Sequence, residues 1–119
     1  MAVITVTAPP PYGAIPVNTD MIYAVVPDDI SDGSKLLIDT AGGRSVSAID
    51  DVDAIAGLVG TAFARFKWAG LQSGYVLLNR IGWVSIVSHP QVKGVTQVNY
   101  KNHYIPVKAS VDAVTVALS

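Results

Sequence analysis

A stretch near the start of this 119-residue chain returns near its middle. Shifting Thr5 to Ile22 by 61 positions sets Gly13 on Gly74, Ile15 on Val76, Val17 on Leu78 and Asn18 on Asn79. Shifting Arg44 to Ile55 by 59 sets Val46 on Ile105, Val52 on Val111, Asp53 on Asp112 and Ala54 on Ala113. The difference between the shifts places a change of length in the loop after Val26. A repeat is read before any single element, because each copy is then one supersecondary unit that buries its apolar face against its neighbour. Two copies are too few for a solenoid. The expectation is a mainly β fold: a pseudo-twofold pair of tandem modules, residues 1–60 and 61–119. Each module has about four to five short strands and one short helix, and the two share a core in one compact domain.

Local patterns agree. Val3, Thr5 and Thr7 alternate with Ile4 and Val6 until Pro9-Pro10-Pro11, three residues that cannot donate to a ladder. Short strands are expected at Ala14–Val17, Met21–Val26, Leu36–Ile38 and Val46–Ile49, with Ala41-Gly42-Gly43 turning the last pair into a hairpin. Asp50 or Asp51 caps a helix in which Val52, Ile55, Ala56 and Val59 recur at helical spacing. The second copy reads as strands at Phe63–Trp68, Tyr75–Leu78, Trp83–Val87, Val92–Tyr100 and His103–Val107. A turn at Gly70–Gly74 and a hairpin tip at Lys101-Asn102 separate them. Ser110 then opens a segment, Val111–Leu118, cognate to the first helix. Its β-branched residues dilute helix propensity, so there the repeat decides. Asn18 and Asn79 read as turn residues bonding local backbone.

Only 14% of the residues are charged, against roughly 25% in an average soluble domain. So little polar surface implies apolar area buried against other subunits. No stretch reaches the roughly 18 uninterrupted apolar residues of a membrane span, and no basic run precedes an apolar one at the start. The expected compartment is the cytoplasm, or a virion if the chain is an assembly subunit. The charges are also sorted. Before residue 61 stand eight aspartates and two bases (Lys35, Arg44); after it stand six bases (Arg65, Lys67, Arg80, Lys93, Lys101, Lys108) and Asp112 alone. Such polarity implies a polyanionic partner for the second half, or acidic-to-basic contact between copies.

Ile15-Pro16-Val17-Asn18 with Met21-Ile22, then Gly43-Arg44-Ser45-Val46 and Asp51-Val52-Asp53-Ala54-Ile55, form a pattern that is similar to the LytTR-type all-β DNA-binding domain. It also resembles the small flagellar-regulator proteins that share that β unit. Phe63-Ala64-Arg65 followed by Tyr75-Val76-Leu77-Leu78-Asn79 resembles the family's Phe-x-Arg strand and its continuation, and His103-Tyr104-Ile105-Pro106-Val107 its closing hairpin. The chain departs from the family where a His-Arg-Ser run follows that strand; here Lys67-Trp68 stand. The resemblance implies a β fold and a DNA-binding role.

The residues themselves argue against catalysis. The chain has no cysteine nucleophile and no glutamate. His89 and His103 lack a metal-ligand spacing, and Asp50, Asp51 and Asp53 fit a helix cap. No metal, cofactor or small-molecule substrate is implied. Nucleic-acid binding has a concrete case, since seven of the nine aromatics lie in the basic half. Single strands are held by bases stacking on aromatic faces while Lys and Arg track phosphates. The expected function is therefore a non-enzymatic, self-associating binder of single-stranded DNA or RNA. Arg65, Lys67, Arg80, Lys101 and His103 would meet phosphate, and Trp68, Tyr100 and Tyr104 would stack. Trp83, aligned with Ile22, reads as core. The alternative is a viral (phage) structural or accessory virion protein assembling through acidic-to-basic contacts, which can close into rings or run on as filaments.

Overall fold

The computed structural model describes residues 2–29, 31–39, 44–70 and 74–119. Along them run β1 (Val3–Ala8), β2 (Gly13–Asn18), β3 (Ile22–Pro27), β4 (Ser34–Ile38), β5 (Ser45–Ala48) and α1 (Val52–Val59). There follow β6 (Phe63–Lys67), β7 (Tyr75–Asn79), β8 (Ser85–Ser88), β9 (Thr96–Asn99), β10 (Tyr104–Val107) and α2 (Val111–Leu118). The fold is mainly β, and an order of five strands and a helix occurs twice. Three antiparallel sheets result: β1-β2, β5-β4-β3-β7-β6 and β10-β9-β8. The two series differ at one seam. Ala24 and Val25 of β3 pair with Leu78 and Leu77 of β7 as well as with β4, whereas β8, the third strand of the second series, is a sheet edge paired with β9. The expected tip at Ala41–Gly43 and the centre of the expected turn at Gly70–Gly74 lie outside the described residues.

Local chemistry explains the elements. In β1, Ile4, Val6 and Ala8 are buried while Val3, Thr5 and Thr7 face solvent, the period-two pattern of a half-buried strand. The proline run ends it. Asn18 and Asn79 each accept a hydrogen bond from the backbone N–H two residues on, at 3.0 Å in both cases, so both are the expected turn residues. Asp51 rather than Asp50 caps α1, accepting from Ala54 N–H, and Ser110 caps α2 by accepting from Ala113 N–H. Asp50 instead accepts from the Thr7 N–H and ties β1 to the start of α1. Two strand expectations are corrected at their starts: the ninth strand begins at Thr96 and the eighth at Ser85. Gly94 takes a φ of +81°, a left-handed turn that ends the extended run which Val92 and Val95 alone would imply.

The interior also departs from expectation: it is two clusters rather than one core, and each cluster draws on both series. One cluster joins Ile4, Val6, Val17, Leu36, Ala48, Val52 and Ile55 beneath α1; the other joins Val98, Tyr100, Ile105, Val107, Val114 and Leu118 beneath α2. The five-stranded sheet is the wall between them. Along β7, Val76 and Leu78 face the α2 side and Leu77 the α1 side. β3 does likewise, with one irregularity: Tyr23 and Ala24 both belong to the α2 side. A bulge between Ile22 and Ala24 re-phases the strand there. The molecule therefore has three layers, the hairpin with α1, the central sheet, and the small sheet with α2. Among the described residues no helix is long and apolar enough to cross a membrane.

Candidate nucleic-acid interface

β6 is an edge of the central sheet and carries two of the expected basic residues, Arg65 and Lys67. Its alternation buries Ala64 and Phe66 and leaves Arg65 and Lys67 exposed, as the strand pattern requires. The Arg65 guanidinium is not idle. Its Nη2 lies 2.6 Å from Asp53 Oδ1 in the first turn of α1, and its Cζ stands 4.3 Å above the Tyr75 ring on β7. Tyr75 pairs across from Lys67, so ring and ammonium share one face. An acidic hollow of about 170 Å³ borders this strip, lined by Asp32, Asp51 and Asp53 beside Tyr75.

The other expected residues divide sharply. Trp68, expected as a stacking platform, instead bridges to Val107 and packs against the α2-side core. Its Nε1 is buried with no hydrogen-bond partner among the described residues. A Cβ on Gly70 would come within 2.3 Å of the indole, so glycine there is a fitting requirement. Tyr100 is 2% exposed; its hydroxyl donates to the Asn79 carbonyl at 2.7 Å, and its ring stacks on Tyr23 at 5.0 Å. Burial pushes the Tyr100 phenol far up from its usual range. Burial, followed by the neighbouring Asp39 carboxylate, pushes the Tyr23 phenol up as well. A base cannot reach the Tyr100 ring.

Arg80 and His103 are also turned to internal work. Arg80 Nε donates to the Thr61 carbonyl at 2.8 Å, and its Nη1 donates to the Ala117 carbonyl near the end of α2. A cation at a helix C-terminus satisfies orphan carbonyls and the dipole together. His103 is half-buried, its ring edge-on to Tyr23 and its Nε2 3.4 Å from the Ile38 carbonyl. It joins the last hairpin to β4. Trp83 is partly buried against the same core, as expected.

Lys67, Lys101 and Tyr104 remain in solvent, with Tyr104 74% exposed. The structure adds Lys108, whose N–H donates to the Lys67 carbonyl at 3.0 Å, placing the two lysine backbones side by side. Lys67 and Lys108 thus mark the Val107 end of β10, and Tyr104 and Lys101 the opposite end. The four residues of β10, at roughly 3.3 Å each, separate these groups. Tyr75 and Lys108 were missed by sequence reasoning. The signal for Tyr75 was its place two residues before Leu77, the partner of Arg65; nothing local marked Lys108, which depends on the contact between β6 and β10. Among the described residues no cluster of His and Asp could hold a metal ion.

No protein-family model matches the sequence, and no curated protein matches it. Among solved structures the chain is similar to a LytTr DNA-binding domain from Bacillus cereus, with a TM-score of 0.67 at 14% identity. The match covers 99% of this chain and 96% of that one. This chain therefore has the LytTR-type all-β fold that its short apolar motifs resemble.

Proposed function

We propose that the protein is a non-enzymatic DNA-binding module whose contact surface runs from Lys67 and Lys108 along β10 to Lys101 and Tyr104. The observation that carries the reading is the end-to-end structural likeness to a LytTr DNA-binding domain. The exposed lysines at both ends of β10 give that likeness a surface on which phosphates could be held. Tyr104 and Tyr75 are the exposed rings beside them, and they are what remains of the single-strand stacking expectation. Direct titration of labelled duplex and single-stranded oligonucleotides at low and high salt tests the proposal. Each phosphate contact adds about 0.9 to the salt slope on duplex DNA. Joint replacement of Lys67 and Lys101 by Ala should therefore weaken binding and lower the slope by about 2. Binding to neither form at low salt would remove the proposal. Single-strand preference lost in Tyr104→Ala would keep the stacking part; duplex preference indifferent to Tyr104 would remove it.

A second reading, self-association, is favoured by apolar side chains left in solvent: Val84 at 69%, Val116 and Tyr12 each at 76%. It includes the virion-subunit alternative, in which the aspartate-rich half of one copy meets the basic half of the next. Light scattering at several protein concentrations separates the two readings, since a monomer at all of them excludes assembly. We also propose that the two series of elements descend from one duplicated segment. Matched bonds support this. Ser34 Oγ donates to the Asp50 carbonyl and Thr96 Oγ1 to the Ala109 carbonyl, each from the start of a strand to the residue just before a helix cap.

A further inference from the structure

We propose that Asp53 is a built-in substitute for phosphate: it holds Arg65 in reserve, and nucleic acid recruits the guanidinium by displacing the carboxylate. This rests on the DNA-binding reading and adds to it a restraint on affinity. Three features of the pair support it.

The first is that, among the described residues, the Asp53 carboxylate has Arg65 as its one hydrogen-bond partner. The cap of α1 is Asp51, whose carboxylate accepts from Ala54 N–H at 2.8 Å, whereas the Asp53 carboxylate meets Arg65 Nη2 at 2.6 Å. The second is that both members are open to water, with side chains 47% and 71% exposed. Exposed ion pairs contribute little, because solvent screens them, so exchange for another anion is cheap. The third is that each partner has somewhere to go. Asp53, in the first turn of α1, keeps the favourable positive end of the helix dipole after Arg65 leaves. Arg65 keeps the Tyr75 ring beneath its plane. Its fork of N–H donors matches a phosphate as well as a carboxylate.

Lys67, two residues along the same face, has no such carboxylate among the described residues. The basic strip therefore contains one cation ready for an anion and one already holding a stand-in. The neighbouring Asp32 and Asp51 line the same hollow, so the strip repels phosphate most strongly where Arg65 is held.

The test is a double-mutant cycle on oligonucleotide affinity. Asp53→Asn should tighten binding about three-fold, the size of an exposed ion pair. In the Arg65→Ala background the same change should do nothing. Asp32→Asn removes an equal charge from the same hollow without touching Arg65, and should give less than half the effect. An Asp53→Asn gain that persists without Arg65, or equals that of Asp32→Asn, would show ordinary charge removal and overturn the proposal. So would unchanged affinity in Asp53→Asn while the wild-type protein binds. Failure of both wild type and Asp53→Asn to bind any oligonucleotide would overturn the DNA-binding reading and this inference together. Thermal melts of all five proteins separate binding effects from unfolding.

Discussion

On the α1 side of the central sheet the buried cluster is aliphatic, and Phe63 is its single ring; on the α2 side Tyr23, Phe66 and Tyr100 are buried, with Trp68 and Trp83 packed against them. Comparable strand positions differ in kind: Val6, paired with Ile15 on β2, lies in the first cluster, and Phe66, paired with Val76 on β7, lies in the second. Aliphatic side chains need only fill space, whereas buried phenols need partners for their hydroxyls. The α2 side supplies one to Tyr100 through Asn79, whose carbonyl accepts from the phenol while its Nδ2 donates to the Ile22 carbonyl at 2.7 Å. The same order of strands thus supports two different interiors. It follows that an aromatic-rich half is no measure of stacking surface, since most of those rings are the interior.

The comparison can be broken most forcefully at the helices. Ile55→Ala, fully buried beneath α1, should cost about 4 kcal/mol, and Val114→Ala at the equivalent position of α2 about 2 kcal/mol, because fewer methyl groups are lost. Denaturant titration should show one transition for each, since β3 and β7 line both clusters. Two separated transitions would mean that the two interiors melt independently.

The paired asparagines sharpen it further. Asn79→Ala should cost about 3 kcal/mol, because it strips a partner from the Ile22 carbonyl and the Ile81 N–H in a buried setting. Asn18→Ala, which loses one bond at the surface, should cost about 1 kcal/mol. Equal losses would deny that the second series carries the polar burden.

As small an effect as that of Asn18→Ala is expected for Tyr100→Phe, about 1 kcal/mol at neutral pH from the lost bond to Asn79. Its pH dependence is more telling. Below pH 10 the phenol is protonated folded and unfolded alike, so it adds no slope. Above the ordinary value of 10.0, the unfolded chain loses its proton first, because burial raises the folded phenol. The unfolded state then binds fewer protons, and stability falls by up to about 1.4 kcal/mol per pH unit. Chemical denaturation from pH 9 to 11.5 should show this decline, shallower in Tyr100→Phe. An unchanged slope would mean that the ring is reached by solvent.

Much of the fold could be read from the chain because it depended on local pattern. Alternation gave β1 and β6, and Asx and cap chemistry gave the turns at Asn18 and Asn79 and both helix starts. What stayed hidden depended on contacts distant in sequence. The seam between β3 and β7 pairs residues more than fifty positions apart, and no local signal distinguishes it from a symmetric arrangement. The site divided in the same way. Lys67 and Lys101 lie in solvent as strand and tip chemistry imply, while Arg80 serves α2, His103 serves β4 and Tyr100 serves Asn79. Each of those three is a polar group that found a partner brought in by tertiary folding.

The bulge in β3 has a further consequence. Alternating on either side of it, one short strand supplies Ile22 and Val25 to the compartment of the first series and Tyr23, Ala24 and Val26 to that of the second. Phe63 and Leu77 cross in the other direction. Cutting the chain between Gly60 and Thr61 would hand each fragment an interior missing pieces that only the other fragment carries. Two such halves should stay open when alone and close when mixed, as two interlocked parts of a clasp do.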